Sequence, residues 1–398
     1  MVRVAVIFES SPFDRKGLFN AVHNRVKGLL GTGECWVDAY CIHSRDNALT
    51  RCLRHTSSVP TVDSVEIDSV TYRMMWYRFS ILDHLTLEKC GKRPLFFKRF
   101  IKTHVQFLQG YDYIIAHSFT GALFAYEAAQ RYGTPYFVTW HGSDVHTHPW
   151  RVDVIREDTK KVMDAAKCNF FVSNALKTTS ERITSNASKD VLYNGVSENF
   201  VRSDEDSRLK SRDRFGISAE EKVVAFAGNL VPVKNVLTLP HIFKAISEQY
   251  DAPLHFVIAG DGKLRKQLEA EFVSCGCDRS MELASQPYRN KVSFLGNVPA
   301  VDMPALMNCV DVLVLPSLNE GLPLVCAEAL RCGANVVGSD VGGISEVIGK
   351  DNVVPLGDDF VPQIARKIVA MLLDKPVQTV PEAISWANTA AREISCLK

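Results

Sequence analysis

The sequence contains no apolar run approaching ~18 residues, which excludes a membrane-spanning helix. It lacks an excess of charge of either sign. Lys and Arg total 46 against 45 Asp and Glu, a formal net charge of +1. General nucleic-acid binding is therefore not expected, and attraction to an anionic surface must come from a local patch. It lacks a cysteine framework as well. Eleven cysteines are scattered, and their odd number leaves one unpaired. The closest pair, Cys275 and Cys277, has no matching His or Cys cluster nearby in sequence. No metal site is expected, and the thiols read as reduced and buried, as in a cytoplasmic protein. The first residues show no charged segment, long apolar core and small-residue cleavage site of a secretory signal, so a cytoplasmic location is expected. No repeat at a solenoid period is visible.

Among what is present, length matters first. A chain of 398 residues exceeds one ordinary core, so two domains are expected. Hydrophobic residues at 46% and charged residues at 23% suit a globular protein.

The stretch Asp311 to Ile348 is the most informative. Val312–Leu315 reads as a short buried parallel strand. Pro316-Ser317 stops it, and Asn319, Glu320 and Gly321 form a polar turn. Residues 321–331 then favour a helix, with Gly333 placed as its C′ residue. Asn335–Gly338 reads as a second strand, followed by Gly342-Gly343. This is a βαβ unit with polar groups at the carboxyl ends of its strands, where ligands bind in open α/β sheets. Free N–H groups near Gly321 and Leu322 make an anion site. Glu320 precedes the helix, and Glu328 lies within it in apolar company, which is costly without a partner. On spacing alone the pattern suits a nucleotide-sugar ligand. It suits equally a capping Glu320 and a solvated Glu328.

The string P-S-x-x-E-G-L-P-L-V-x-x-E-A-L-x-C-G, with Glu320 and Glu328, resembles the E-x7-E signature of the retaining nucleotide-sugar glycosyltransferases of family 4, which have the GT-B fold. The flanks agree: Asp311 before the strand, Gly333 after the helix, then Gly342-Gly343 and Glu346. Further segments resemble the family in order. Gly17 stands in the first loop, though Lys16 precedes it where the family often has a second glycine. His141 lies in H-G-x-D, and Asn194-Gly195-Val196 closes the first half. Gly228 to Lys234 matches the glycine-loop-lysine segment, with Asn229 where the family has an arginine. Asp261 and Asn297-Val298 fall in loops that match base-contacting ones. Ser385 to Ala391 matches the closing helix.

The resemblance implies two Rossmann-like domains with parallel sheets facing across a cleft. The expected boundaries are 1–200 for an acceptor domain, 201–216 for a linker, 217–380 for a nucleotide-sugar donor domain and 381–398 for a helix crossing back to the first. It also implies roles. Lys234 and the amides of Gly321 and Leu322 would stabilise the departing diphosphate. Pro323, Leu324 and Val325 continue that donor-binding segment. Glu320 would hold donor-sugar hydroxyls, Glu328 the ribose diol, and His141 the sugar from the opposite domain. The implied reaction is retaining transfer of a sugar, from a UDP-sugar rather than a GDP-sugar, to a hydroxyl of a glycan or lipid-linked acceptor. No cofactor and no metal is implied. The alternatives are a GT-B nucleotide-sugar epimerase and a non-catalytic glycan- or nucleotide-binding subunit.

Three further patterns stand out in the sequence. Tyr72–Phe79 and Lys89–Lys102 interleave cations with aromatics, which predicts contact with an anionic membrane. The same pattern fits core segments whose Lys and Arg reach outward. Asp204-Glu205-Asp206 is a D-x-D without a preceding strand, and His146-x-His148 has no third ligand in view, so neither is expected to bind a metal.

Overall fold

The computed structural model describes residues 1–13, 17–45, 59–78, 80–88, 90–277, 281–284, 289–374 and 376–398. Lys16, Phe79 and Lys89 of the patterns above lie outside the described residues. The chain divides into two units. One comprises Met1–Gly195 with Ser385–Lys398, and the other Val196–Ile384. The second unit therefore includes residues 201–216, read above as a linker.

The strands of the first unit are β1 (Val2–Glu9), β2 (Cys35–Ser44), β3 (Ser64–Ile67), β4 (Val70–Tyr77), β5 (Tyr113–His117), β6 (Tyr136–Trp140), β7 (Cys168–Phe171) and β8 (Lys189–Val191). Their order across the sheet is β3-β4-β2-β1-β5-β6-β7-β8. Every pairing is parallel except β3 with β4. Val4 to Phe8 are all buried, as a central parallel strand covered on both faces requires. Asp68 and Ser69 both hold positive φ at the β3–β4 turn, the backbone of a tight hairpin. The strand order reverses between β1 and β5, which makes their carboxyl ends the switch point of this sheet.

The helix Trp386–Leu397 belongs to this unit and packs on the helix Gly17–Gly31. A Cβ on Gly28 would lie 3.0 Å from that of Ala390, so the two helices approach closely. Beside this contact Arg25 is fully buried. Its guanidinium donates to Glu393 Oε1 at 2.9 Å, Thr139 Oγ1 at 3.1 Å, the Leu192 carbonyl at 3.0 Å and Asn194 Oδ1 at 3.0 Å. One side chain thus ties both helices to the sheet.

The second unit contains β9 (Lys222–Ala227), β10 (Leu254–Ala259), β11 (Glu282–Ala284), β12 (Arg289–Gly296), β13 (Val312–Leu315), β14 (Asn335–Ser339) and β15 (Val353–Val354). The order is β11-β12-β10-β9-β13-β14-β15, parallel except at β11. Its switch point lies between β9 and β13. The charged segment 201–216 contains the helix Glu205–Arg214. Asp204, the start of the D-x-D, accepts from the Ser207 amide at 2.7 Å and caps that helix. Arg208 bonds Asp311 Oδ1 at 3.1 Å, and Asp311 Oδ2 accepts from the Val223 amide at 2.8 Å. The charges thus fasten the helix to the edge of β9 and β13.

Candidate functional site

The two strands at the second switch point carry the charged pair. β9 runs into Gly228 to Lys234, and β13 runs into Pro316 to Pro323. The loops are joined by a hydrogen bond from the Leu318 amide to the Val233 carbonyl, 2.8 Å. Lys234 Nζ meets Glu320 Oε1 at 2.5 Å, and Ser317 Oγ donates to the same oxygen at 2.7 Å. Ser317 is in turn held by the Ser339 hydroxyl, which bonds its carbonyl. The charged groups are partly shielded, with side-chain exposures of 21% for Lys234 and 11% for Glu320. Their attraction therefore exceeds that of an open surface pair.

Gly342 closes the loop from the other side. It holds φ +53°, and a Cβ there would fall 1.9 Å from the Glu320 carbonyl oxygen. The loops after β9, β10 and β12 are stitched in the same way. The Gly228 amide bonds the Ala259 carbonyl at 2.9 Å, Leu230 bonds Asp261 at 2.9 Å, and Gly260 bonds Gly296 at 2.7 Å. A Cβ on Gly260 would meet the Gly228 carbonyl oxygen at 1.9 Å. This stitching gathers Asn229, Asp261, Asn297 and Val298 at one end of the sheet. Asn229 and Asn297 are exposed, and Asp261 Oδ1 accepts from the Gly262 amide at 2.7 Å.

One local expectation shifts. The helix predicted over 321–331 begins only at Leu324. Pro323 keeps Leu322 out of the helical region and itself takes the extended cap position, φ −78° and ψ 93°, so the helix starts at Leu324. The amides of Leu324 and Val325, not those of Gly321 and Leu322, head the helix. After Lys234 the chain makes two short 3₁₀ turns hinged at Asn235, φ +52°, before the helix Leu239–Ser247. Glu328 sits within the helix Leu324–Arg331. No ion pair or hydrogen bond engages its carboxylate among the described residues, and burial raises it from 4.5 to about 7.

In the first unit, His141 follows β6 and His117 ends β5. His141 Nε2 lies 3.1 Å from His117 Nδ1, so one ring donates to the other. Burial, with the Arg25 charge acting in the same direction, lowers His141 to about 3. Burial also holds His117 well below its ordinary value, with His141 and Arg25 adding to it. Both imidazoles are neutral at pH 7. Asp144 accepts from the amides of His141 at 3.2 Å and Gly142 at 2.8 Å, which fixes this turn. Gly17 begins the helix Gly17–Gly31, and a Cβ there would meet nothing within 4 Å.

The aromatic-basic stretches turn mostly inward. Tyr72, Met74, Met75 and Tyr77 of β4 are buried, and Phe97 and Phe100 pack on Tyr77. Phe96, Lys98, Arg99 and Lys102 of the helix Leu95–His104 remain exposed. No described helix is long and apolar enough to cross a membrane.

Sequence reasoning missed Arg25, Glu393 and His117. It also missed the trio His241, Glu271 and Cys275, whose polar atoms lie within 4.8 Å of one another. Both ring nitrogens of His241 are already engaged there, by Glu271 at 3.0 Å and Cys275 at 3.5 Å.

Comparison with known proteins assigns the family. A model described as Glycosyl transferases group 1 matches residues 221–374, and one described as Glycosyltransferase Family 4 matches 59–200. An uncharacterized glycosyltransferase of Methanocaldococcus jannaschii is 29% identical over 52% of this chain and 53% of its own. The N-acetyl-alpha-D-glucosaminyl L-malate synthase of Bacillus anthracis is 30% identical over 59% of this chain and 57% of its own. The chain spans about half the length of the curated relatives it matches. Among solved structures, Anabaena HepE in complex with UDP and glucose superposes with a TM-score of 0.67 at 18% identity. It covers 99% of this chain and 95% of its own. The sucrose-phosphate synthase of Thermosynechococcus elongatus gives 0.70 at 16% identity, over 100% and 95%. These likenesses establish the fold, and with the two family models they place the chain among the family 4 glycosyltransferases of GT-B fold.

Proposed function

We propose that the chain transfers a sugar, with retention, from a nucleotide diphosphate sugar to a hydroxyl of a glycan or lipid-linked acceptor, and that the donor is a UDP-sugar. The observation that carries this reading is the Lys234–Glu320 pair at the switch point of the second sheet. A diphosphate leaving group develops negative charge as its bond to the sugar breaks, and fixed donors aimed at that charge lower the barrier. Lys234 supplies one such charge, and the amides of Leu324 and Val325 at the head of their helix supply donors. Glu320 Oε1 is occupied by Lys234 and Ser317, which leaves Oε2 to accept from hydroxyls of the donor sugar. Glu328, when ionised, accepts from the ribose diol. His141, in the first unit, is neutral, so a hydrogen bond it gives to a substrate adds no charge.

Asn229 gives hydrogen bonds where the family has a cationic arginine, so Lys234 carries more of the charge stabilisation. In this reading no metal is needed. The bond between the anomeric carbon and the phosphate oxygen breaks while the acceptor oxygen bonds the same face. The acceptor proton passes to the departing phosphate. UDP in the HepE complexes is consistent with the choice of donor.

The test is incubation with UDP- and GDP-sugars and a panel of glycan and lipid-linked acceptors, followed by NMR of the product. Acceptor-dependent release of UDP and an anomeric configuration matching the donor support the reading. Conversion of the nucleotide sugar to an isomer without any acceptor supports the epimerase instead. Binding of a nucleotide or glycan with no turnover supports the non-catalytic subunit.

A further inference from the structure

Cys275 has no histidine near it in sequence, but the fold brings one from 34 residues away. His241 lies in the first turn of the helix Leu239–Ser247. Glu271 lies on the helix Arg265–Ser274, and Cys275 is the C-cap of that helix. Glu271 and Cys275 stand at i and i+4, so their side chains leave one face of it. Phe243 and Phe272, one from each helix, have ring centroids 5.8 Å apart, so the two helices pack on one another. None of the trio has a part in the proposed transfer.

Glu271 Oε1 lies 3.0 Å from His241 Nε2, and Cys275 Sγ lies 3.5 Å from His241 Nδ1. One ligand atom from each of the three residues lies within 4.8 Å of the other two. A tetrahedral zinc centre, with bonds of about 2.0–2.2 Å to nitrogen and oxygen and about 2.3 Å to sulfur, holds its ligand atoms about 3.3–3.7 Å apart. The two ring nitrogens flank a single carbon. A turn of His241, whose side chain is 51% exposed, therefore presents one nitrogen to both partners. Thiolate and imidazole are ligands that suit zinc, and with the carboxylate they set two negative charges against a divalent ion. Cys275 is buried, while the exposed edges of His241 and Glu271 give an ion its route from solvent.

We infer that His241, Glu271 and Cys275 bind one zinc ion, which clips the helices Leu239–Ser247 and Arg265–Ser274 together. On binding, the Cys275 thiol releases its proton to solvent. Zinc bonds the thiolate sulfur, one His241 nitrogen and one Glu271 oxygen, with water at the fourth position and no change of oxidation state. The clipped helices follow the loops after β9 and β10, which carry Asn229 and Asp261. The ion is thus a structural clip on the second unit and takes no part in bond breaking.

The test uses the full chain, reduced, treated with a chelator and then freed of it. Zinc is titrated calorimetrically, with magnesium and calcium as comparison ions, and cobalt(II) is added separately as a spectroscopic probe. One zinc per chain is expected, bound at least a hundredfold tighter than magnesium or calcium, whose preferred ligands are all oxygen. Cobalt should show a thiolate-to-metal charge-transfer band and the ligand-field bands of a four-coordinate ion. Cys275→Ala should abolish the charge-transfer band, and His241→Ala and Glu271→Gln should each weaken zinc at least tenfold. Zinc should raise the thermal unfolding midpoint of the wild type and not that of His241→Ala. Where Cys275→Ala fails to fold, the exposed His241→Ala decides. No stoichiometric zinc binding overturns the inference and leaves the trio a hydrogen-bonded cluster. Equal zinc affinity in wild type and variants also overturns it, because the ion then sits on other side chains.

Discussion

Replacing Glu328 by glutamine tests the physical state of the second signature carboxylate. Burial raises this group from 4.5 to about 7, and nothing among the described residues compensates its charge. A carboxyl whose pKa is higher in the folded chain than in the unfolded one binds its proton more tightly when folded. Its contribution to stability is therefore fully present below pH 4.5 and is lost as pH rises toward 7. Above pH 7 the ionised side chain carries a constant cost. At about 1.4 kcal/mol per pH unit, a rise from 4.5 to about 7 sets an upper bound of roughly 3 kcal/mol, because the Glu328 side chain is only partly buried and water screens part of its charge. Glu328→Gln cannot ionise. It should match the wild type in urea unfolding near pH 4 and exceed it at pH 8 by up to roughly 3 kcal/mol. A ribose diol donating to the carboxylate would offset part of that cost. Nucleotide affinity of the wild type should then rise with pH through 7, while that of the variant stays level. A variant no more stable than the wild type at pH 8, or a difference that ignores pH, would refute the argument.

Other perturbations follow from the same geometry. Gly342→Ala drives a methyl into the Glu320 carbonyl and strains a left-handed backbone by about 1–2 kcal/mol. UDP affinity should fall at least tenfold while circular dichroism is unchanged, and an unaltered Kd would contradict the contact. Arg25→Met leaves Glu393 buried without its cation, which costs about 3–5 kcal/mol. Denaturant unfolding should show that loss, and Arg25→Met/Glu393→Leu should recover most of it. Phe96, Lys98, Arg99 and Lys102 form the exposed part of the basic stretch. Sedimentation with anionic vesicles should show binding at low salt that disappears near 0.5 M salt, since a Debye length of about 10 Å at 0.1 M shortens further. No sedimentation at low salt would end the membrane reading.

Much of the fold was legible because buried parallel strands announce themselves as apolar runs. Val312–Leu315 begins and ends where its pattern does, and the strand read over Asn335–Gly338 runs one residue further, to Ser339. The start of the helix at Leu324 was misread because composition alone hid the effect of Pro323 on its neighbours. Of the site, the E-x7-E spacing flagged Glu320 and Glu328, and the glycine loop flagged Lys234. Their partners were not legible. Lys234 meets Glu320 across 86 residues, and Arg25 meets Glu393 across 368, distances at which local periodicity carries no information. His117 ends β5 and His141 follows β6, but only the pairing of those strands brings the rings together. The D-x-D, which was not expected to hold a metal, starts with a helix cap, a position Asp favours for reasons unrelated to metals.

The most direct test of the donor site is thermal unfolding of the purified chain with UDP, GDP, ADP and their sugar conjugates, beside Lys234→Ala. A ligand at a hundred times its Kd adds about 2.7 kcal/mol of stability. Stabilisation by UDP and a UDP-sugar, absent in Lys234→Ala, is the predicted result. Equal stabilisation of wild type and variant would remove Lys234 from the site. No stabilisation by any of these nucleotides would contradict the reading of the Lys234–Glu320 pair as a nucleotide-sugar site.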